Sequence, residues 1–434
     1  MKRLTYTEYS RIPRERLGEN LWQKLQAFDE SHLKGRGQSV FDWSRRHCVR
    51  TKNWVGVIRI PGLEIEILPK TEDTKDQSVE LDQESAGVPR MNLLYMLSIT
   101  RNIPMREREL ASLKTRRMPL WELLCSLFAR RLFTELKKGT HHEYINCEEN
   151  LSCVKGKILI SEHIKANAAH QERMMCSYDE FDPDNLINRI LKAACRVLVT
   201  TTRKTSTHKL LRQSLLILDD AEDCSIQDHH FNEIHLNRNT ERFEELLIFA
   251  RLVLTGHAPA PRTGPVRTFS LLFPMEKLFE EFIARFIYKH ADSLELSRDS
   301  IHIQAKRHQR CLLRKENPDG ARKFHLKPDL LIEPPGKKPV LVLDTKWKRL
   351  SESYSRQGVA REDLYQLFAY AKRYDSPDNV LLYPKVPTVS RETYFVDDES
   401  EKRVRIEFVD VSRDIKANKV ELIKNLRNIL VNSV

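Results

Sequence analysis

The chain has 434 residues, enough for two or three domains with a substantial buried core. Its 73 Lys and Arg against 61 Asp and Glu leave a formal net charge of +12, which favours a polyanionic partner. No apolar run approaches a membrane span, no apolar segment follows the first six residues, and the eight cysteines form no C-x-x-C pair, so membrane-helix and disulfide-stapled classes are excluded. A cytoplasmic protein with reduced thiols is expected.

Residues 1–90 read as a mixed α/β region. A short helix is expected over 21–28. Residues 55–60 and 63–68 alternate apolar and polar around Pro61-Gly62, a strong hairpin signal. Glu64 and Glu66 share one face of the second strand, and a half-exposed strand with a polar face explains them more simply than a metal site. Residues 71–90 are polar, with Gly87 and Pro89, and read as a mobile loop.

Residues 91–260 read as a mainly helical, connecting region. Arg106, Arg108, Lys114, Arg116, Arg117, Arg130, Arg131, Lys137 and Lys138 crowd its first part. Leu120, Leu123, Leu124, Leu127 and Phe128 supply an apolar stripe, so the basic residues fit the solvated side of an amphipathic helix; a nucleic-acid track is the competing reading. Strands and loops are expected over 139–160. His141, His142, Cys147 and Cys153 match no recognised zinc spacing. Glu180, Asp182 and Asp184 lack the glycine of a calcium loop, and capping accounts for them: Asp184 or Asn185 is the natural N-cap of a helix over 186–200. Further helices are expected over 210–219 and 240–254. Residues 256–265, rich in Pro and Gly, form the clearest linker, and a final domain is placed over 269–434.

That domain opens with an amphipathic helix over 274–290, whose buried face is Leu278, Phe279, Phe282, Ile283, Phe286 and Ile287. Glu276 and Glu280 lie at the edge of that face, where they can reach a cleft. A strand is expected near 301–305, followed by the basic residues Lys306, Arg307, Arg310, Arg314 and Lys315, placed to guide a phosphate backbone. The centre of the domain is 328–348. Asp329 starts one strand, and residues 333–338 turn the chain into a second. In that second strand Val340, Val342, Asp344 and Lys346 fall on one face. Two carboxylates and a lysine at a strand end are what phosphodiester hydrolysis requires. Asp329 and Asp344 make a hard oxygen site for Mg²⁺, and Lys346 can orient the attacking water or offset developing charge. A helix follows over 363–371, with Gln366 and Tyr370 four apart on one flank. Strands near 379–384, 394–396 and 404–409 and a helix over 418–430 complete a small mixed sheet flanked by helices.

The order helix with Glu, P-D, strand, D-x-K, helix with Q-x-x-x-Y resembles the PD-(D/E)xK nuclease fold in its RecB-like form. More particularly, MEKLFEEF, LKPDLLI, VLDTKWK and DLYQLFAYA, with NWVGVIRIPGLEIEILPK, GKILI and YDEFDPDNLINRILKAA before them, resemble McrC, the nuclease subunit of the McrBC modification-dependent restriction systems. The likeness spans most of the chain. It implies an α/β (α+β overall) protein ending in a restriction-endonuclease-like domain, and a Mg²⁺-dependent DNA endonuclease. Asp329, Asp344 and Glu280 would be metal ligands, with Glu276 a weaker candidate and the Thr345 carbonyl an added ligand. Lys346 would position water, and Gln366 and Tyr370 would hold phosphate or brace the site.

The resemblance also implies a partner, an McrB-like hexameric AAA+ GTPase that reads modified cytosine in double-stranded DNA and is stimulated by residues 1–260 of this chain. GTP would sit on that partner, since the chain contains no G-x-x-x-x-G-K-[ST] loop. Two other readings compete. A stand-alone RecB-like DNA-processing nuclease would cut without a ring. A non-catalytic activator would use the fold as a scaffold, against which the intact Asp329, Asp344 and Lys346 speak.

Overall fold

The computed structural model describes residues 1–70, 80–100, 103, 118–170, 172–255, 269–305, 310–314, 322–351, 355–396 and 401–431. Several expectations therefore lie outside the described residues: Arg106, Arg108, Lys114, Arg116 and Arg117, the linker at 256–265, and Lys306, Arg307 and Lys315, with the side chain of Arg314. Two compact units make up the chain. One comprises Met1–Asn102, Arg106–Leu120 and Ala258–Val434; the other comprises Ile103–Met105 and Trp121–His257.

In the first unit, β1 (Lys2–Thr7), β2 (Trp54–Ile60), β3 (Leu63–Leu68) and β4 (Phe269–Pro274) form a sheet in the order β1-β3-β2-β4. The hairpin expected around Pro61-Gly62 is β2–β3, antiparallel with Ile60 opposite Leu63. Gly56 marks where β4 crosses. Its φ is +134°, and a Cβ there would stand 2.0 Å from the Leu271 carbonyl oxygen, so only glycine lets the two strands pair. Helix α1 (Glu19–Arg36) is longer than the segment expected over 21–28, and its Trp22, Leu25 and Phe28 share a core with Ile58, Ile65 and Ile67.

Helix α2 (Gly87–Ile99) begins inside the stretch expected to be loop, with Pro89 tolerated in its first turn. This corrects the reading of β3. Glu64 and Glu66 are buried, not half-exposed. Glu66 accepts from Arg90 Nε and Nη2 at 2.5 and 2.8 Å, and Glu64 pairs with Arg59 at 3.1 Å and Arg3 at 3.3 Å. Such pairing offsets the cost of burying an ionised carboxylate.

Helix α3 (Met275–Lys289) follows β4 directly and buries the six apolar side chains expected of it. A second sheet comprises β5 (Ile301–Ile303), β6 (Leu330–Ile332), β7 (Leu341–Thr345), β8 (Asp378–Pro384), β9 (Glu392–Phe395) and β10 (Arg403–Val409), in the order β5-β6-β7-β8-β10-β9. Strands β7 and β8 are parallel and joined through α4 (Arg361–Tyr374), a β-α-β unit; α5 (Lys419–Val431) ends the unit. The core beneath α4 contains Leu331, Val342, Leu367, Tyr370, Tyr374, Leu381 and Ile406.

The second unit combines helices Leu120–Leu136, Leu186–Thr201, Thr205–Ile217 and Glu244–Thr255 with a sheet of Glu143–Leu151, Met174–Asp182 and Lys157–Ile158. Glu180 and Asp182, read from the sequence as part of a capping segment, lie at the end of the long strand Met174–Asp182. Asn185 caps the following helix, its side chain accepting from Asn188 N at 3.1 Å. His141 contacts Glu143 and His142 stacks on Phe181 at 4.7 Å. Arg131 and Lys138 pair with Glu135. All eight cysteines are free thiols, and no helix among the described residues is long and apolar enough to cross a membrane.

Candidate active site

Strand register brings the two aspartates together. Leu330 of β6 lies opposite Leu343 of β7 in an antiparallel pair, so Asp329 just before one and Asp344 just after the other meet at the same end. This is the carboxyl end of β7, and β7 and β8 are parallel neighbours; crevices at such ends collect ligands in α/β sheets. Val342 packs with Leu367 and Tyr370 of α4. Alternation therefore turns Asp344 and Lys346 toward α4 as well.

The contacts are short. Lys346 Nζ lies 2.8 Å from Asp344 Oδ2 and donates to Gln366 Oε1 at 3.0 Å. Gln366 Nε2 in turn donates to the Tyr370 hydroxyl at 2.8 Å. Thr345 donates both its backbone N–H and its hydroxyl to Asp329 Oδ2, each at 2.7 Å. Glu280 accepts from Gln304 Nε2 at 3.1 Å. Around these groups is a cavity of about 390 Å³, lined by Asp329, Asp344, Thr345 and Lys346 at the strand ends, Gln366 from α4, and Glu276 and Glu280 from α3. Asp329, Asp344, Glu280, Lys346 and Gln366 thus converge on one cavity. Tyr370 stands behind Gln366, which it braces, and does not itself line the cavity.

Electrostatics at this end are strained. Burial, then the charges of Asp344 and Glu280, push the Asp329 carboxyl well above the usual range despite the bonds from Thr345. Burial also raises Asp344, against the pull of Lys346. Burial works against the Lys346 ammonium, but the carboxylates of Asp344, Asp363 and Asp329 together outweigh it and the lysine is held above its ordinary value.

Among the described residues no three His, Cys, Asp or Glu side chains are close enough together to enclose a metal ion as they stand. The donor chemistry nevertheless fits a hard divalent cation. Carboxylates from three elements line one cavity, and Asp344 Oδ2 is buried in ion-pair contact with Lys346 yet makes no hydrogen bond of ordinary geometry.

Four lining residues were not singled out from the sequence: Lys327, Trp347, Lys348 and Asp363. Asp363 lies 3.6 Å from Lys346 Nζ and accepts from the Tyr383 hydroxyl at 3.3 Å. Its spacing, one turn before Gln366 on the same helix, was the available signal. Arg310, expected to guide phosphate, instead bonds the Arg373 carbonyl at 2.6 Å and lies over the Tyr374 ring.

Residues 49–384 match a protein-family model described as McrBC 5-methylcytosine restriction system component. The Type IV methyl-directed restriction enzyme EcoKMcrBC of Escherichia coli (strain K12) is 20% identical over 332 residues, 72% of this chain and 91% of that protein. A refined half-complex from the tetradecameric assembly of Thermococcus gammatolerans McrB AAA+ hexamers with bound McrC contains a chain matching with a TM-score of 0.73 at 21% identity, covering 100% of each. A cryo-EM structure of the Thermococcus gammatolerans McrBC complex matches with a TM-score of 0.54 at 23% identity, over 67% of this chain and 88% of the other. At these identities the two structures establish a shared fold.

Proposed function

Because the chain belongs to the McrBC 5-methylcytosine restriction system component family, we propose that it is the McrC subunit: a Mg²⁺-dependent DNA endonuclease of the PD-(D/E)xK type, acting with an McrB-like AAA+ GTPase hexamer on DNA containing modified cytosine. The observation that carries the nuclease reading is the single cavity shared by Asp329, Asp344, Glu280 and Lys346. The partnership is supported by the McrB hexamers that accompany the structural relative.

Asp329 and Asp344 would hold the metal, with Glu280 as a third carboxylate. When bound, Mg²⁺ supplies Lewis-acid polarisation of the phosphate and a lowered pKa for water. Lys346 then points its ammonium, fixed by Asp344 and Gln366, at the reacting centre, where it orients water and offsets charge on the phosphoryl oxygens. Gln366 fixes the direction of that ammonium, and Tyr370 fixes Gln366. Lys327 and Lys348, also lining the cavity, supply positive charge to neighbouring phosphates. The water oxygen bonds to phosphorus as the P–O bond to the leaving sugar breaks.

The test incubates the chain with its McrB-like partner, GTP, Mg²⁺ and methylated DNA. Wild type cuts and Asp344→Ala does not. Cutting by the chain alone would favour the stand-alone nuclease, and full cutting by Asp344→Ala would end the catalytic assignment.

A further inference from the structure

Glu8, just past β1, is almost wholly buried, at 1% exposure. Its Oε1 accepts from Trp347 Nε1 at 2.5 Å and from the Lys70 backbone at 3.0 Å, while its Oε2 is buried without a hydrogen bond. Trp347 is the residue after Lys346 and lines the cavity. Its ring meets that of Phe279 at 5.0 Å, and Phe279 belongs to α3, the helix that presents Glu276 and Glu280. Lys346 is itself anchored through its backbone N–H to Leu382 O at 2.9 Å. The indole is thus gripped from two sides, by an acid from the first sheet and by an aromatic ring from α3.

We infer that Glu8 is a positioning residue for strand cleavage: by fixing the Trp347 indole it sets where the adjoining Lys346 stands in the cavity. The inference rests on the nuclease reading above. A carboxyl placed only to fill the core is poorly suited to this position, because one oxygen is desolvated with nothing in return. An acceptor for the indole N–H is what the position uses.

Three variants test it: Glu8→Leu removes the acceptor, Glu8→Gln keeps one amide oxygen for Trp347 and Lys70, and Trp347→Phe keeps a ring against Phe279 but loses the N–H. In the complete cleavage mixture with partner, GTP, Mg²⁺ and methylated DNA, Glu8→Leu and Trp347→Phe should each lower kcat about tenfold, with KM for DNA within about twofold. Glu8→Gln should return kcat to near wild type. The double variant Glu8→Leu/Trp347→Phe should be no slower than either single one, since both break one bond. Melting curves give the folded fraction by which each rate is normalised. Equal normalised kcat in wild type, Glu8→Leu and Trp347→Phe overturns the positioning role while leaving the nuclease reading intact. A wild type that does not cut overturns both.

Discussion

The amide oxygen of Gln366 accepts a hydrogen bond from the Lys346 ammonium at 3.0 Å, so a cation one residue past the end of β7 takes its direction from a helix. Gln366→Leu should therefore lower single-turnover cleavage by about 10- to 100-fold with DNA affinity nearly unchanged. Tyr370→Phe, which removes the hydroxyl that accepts from Gln366, should cost less, about tenfold. A parallel loss of DNA binding in Gln366→Leu would reassign the glutamine to substrate contact.

Mg²⁺ should stabilise the folded chain. Half-buried Asp329 and buried Asp344 lie close together at one strand end, and a divalent cation relieves their mutual repulsion. At a hundredfold excess over its Kd the ion should add about 2.7 kcal/mol, read as a rise in melting temperature over a sample in EDTA. Asp329→Asn should abolish most of that rise. An equal rise in the variant would place the ion elsewhere.

Stability should also fall with pH through Glu8. Burial, partly offset by the bonds from Lys70 and Trp347, pushes its carboxyl from 4.5 up to about 7. The folded state therefore holds a proton that the unfolded chain has released, and the contribution is whole below about pH 4.5 and is lost as pH rises through 7. Glu8→Gln cannot titrate, so it should exceed wild type in stability at pH 8 by an amount of the order of 3 kcal/mol relative to pH 4. Urea denaturation of both proteins at the two pH values measures the difference, and parallel pH profiles would contradict it.

Gly56→Ala should be severe. The added methyl meets the Leu271 carbonyl oxygen, and the backbone is in a region that alanine avoids. A loss above about 3 kcal/mol is expected in thermal or urea unfolding. A fully stable variant would mean that β2 and β4 pair differently.

The segment 328–348 was legible because two local codes agree there: alternation fixes which side chains share a face, and the turn at 333–338 fixes which strand ends meet. Both operate over a few residues. Glu66 shows where such reasoning stops. Its partner Arg90 lies in a stretch whose Gly87 and Pro89 argue for a loop, yet α2 begins there, and without that helix the carboxylate had no visible counter-ion. Asp363 was hidden differently, since it reads as an ordinary acid in a first helical turn until Lys346 is placed across from it. The strand Met174–Asp182 was hidden because capping of the following helix already accounted for its acids. Glu8 was beyond reach, because its bond to Trp347 joins residues 339 apart in the sequence.

The pairing of β2 with β4 imposes an order of events on synthesis. Residues 54–60 are made early, but the neighbour that covers their edge is residues 269–274. Until the ribosome has delivered that later segment, a strongly apolar strand waits with unsatisfied amides, the situation in which nascent chains stick to one another. The intervening Trp121–His257 segment, by compacting on its own, would shorten the loop that must be closed. A chain interrupted near residue 255 should accordingly be prone to aggregation even though every residue of β1, β2 and β3 is present.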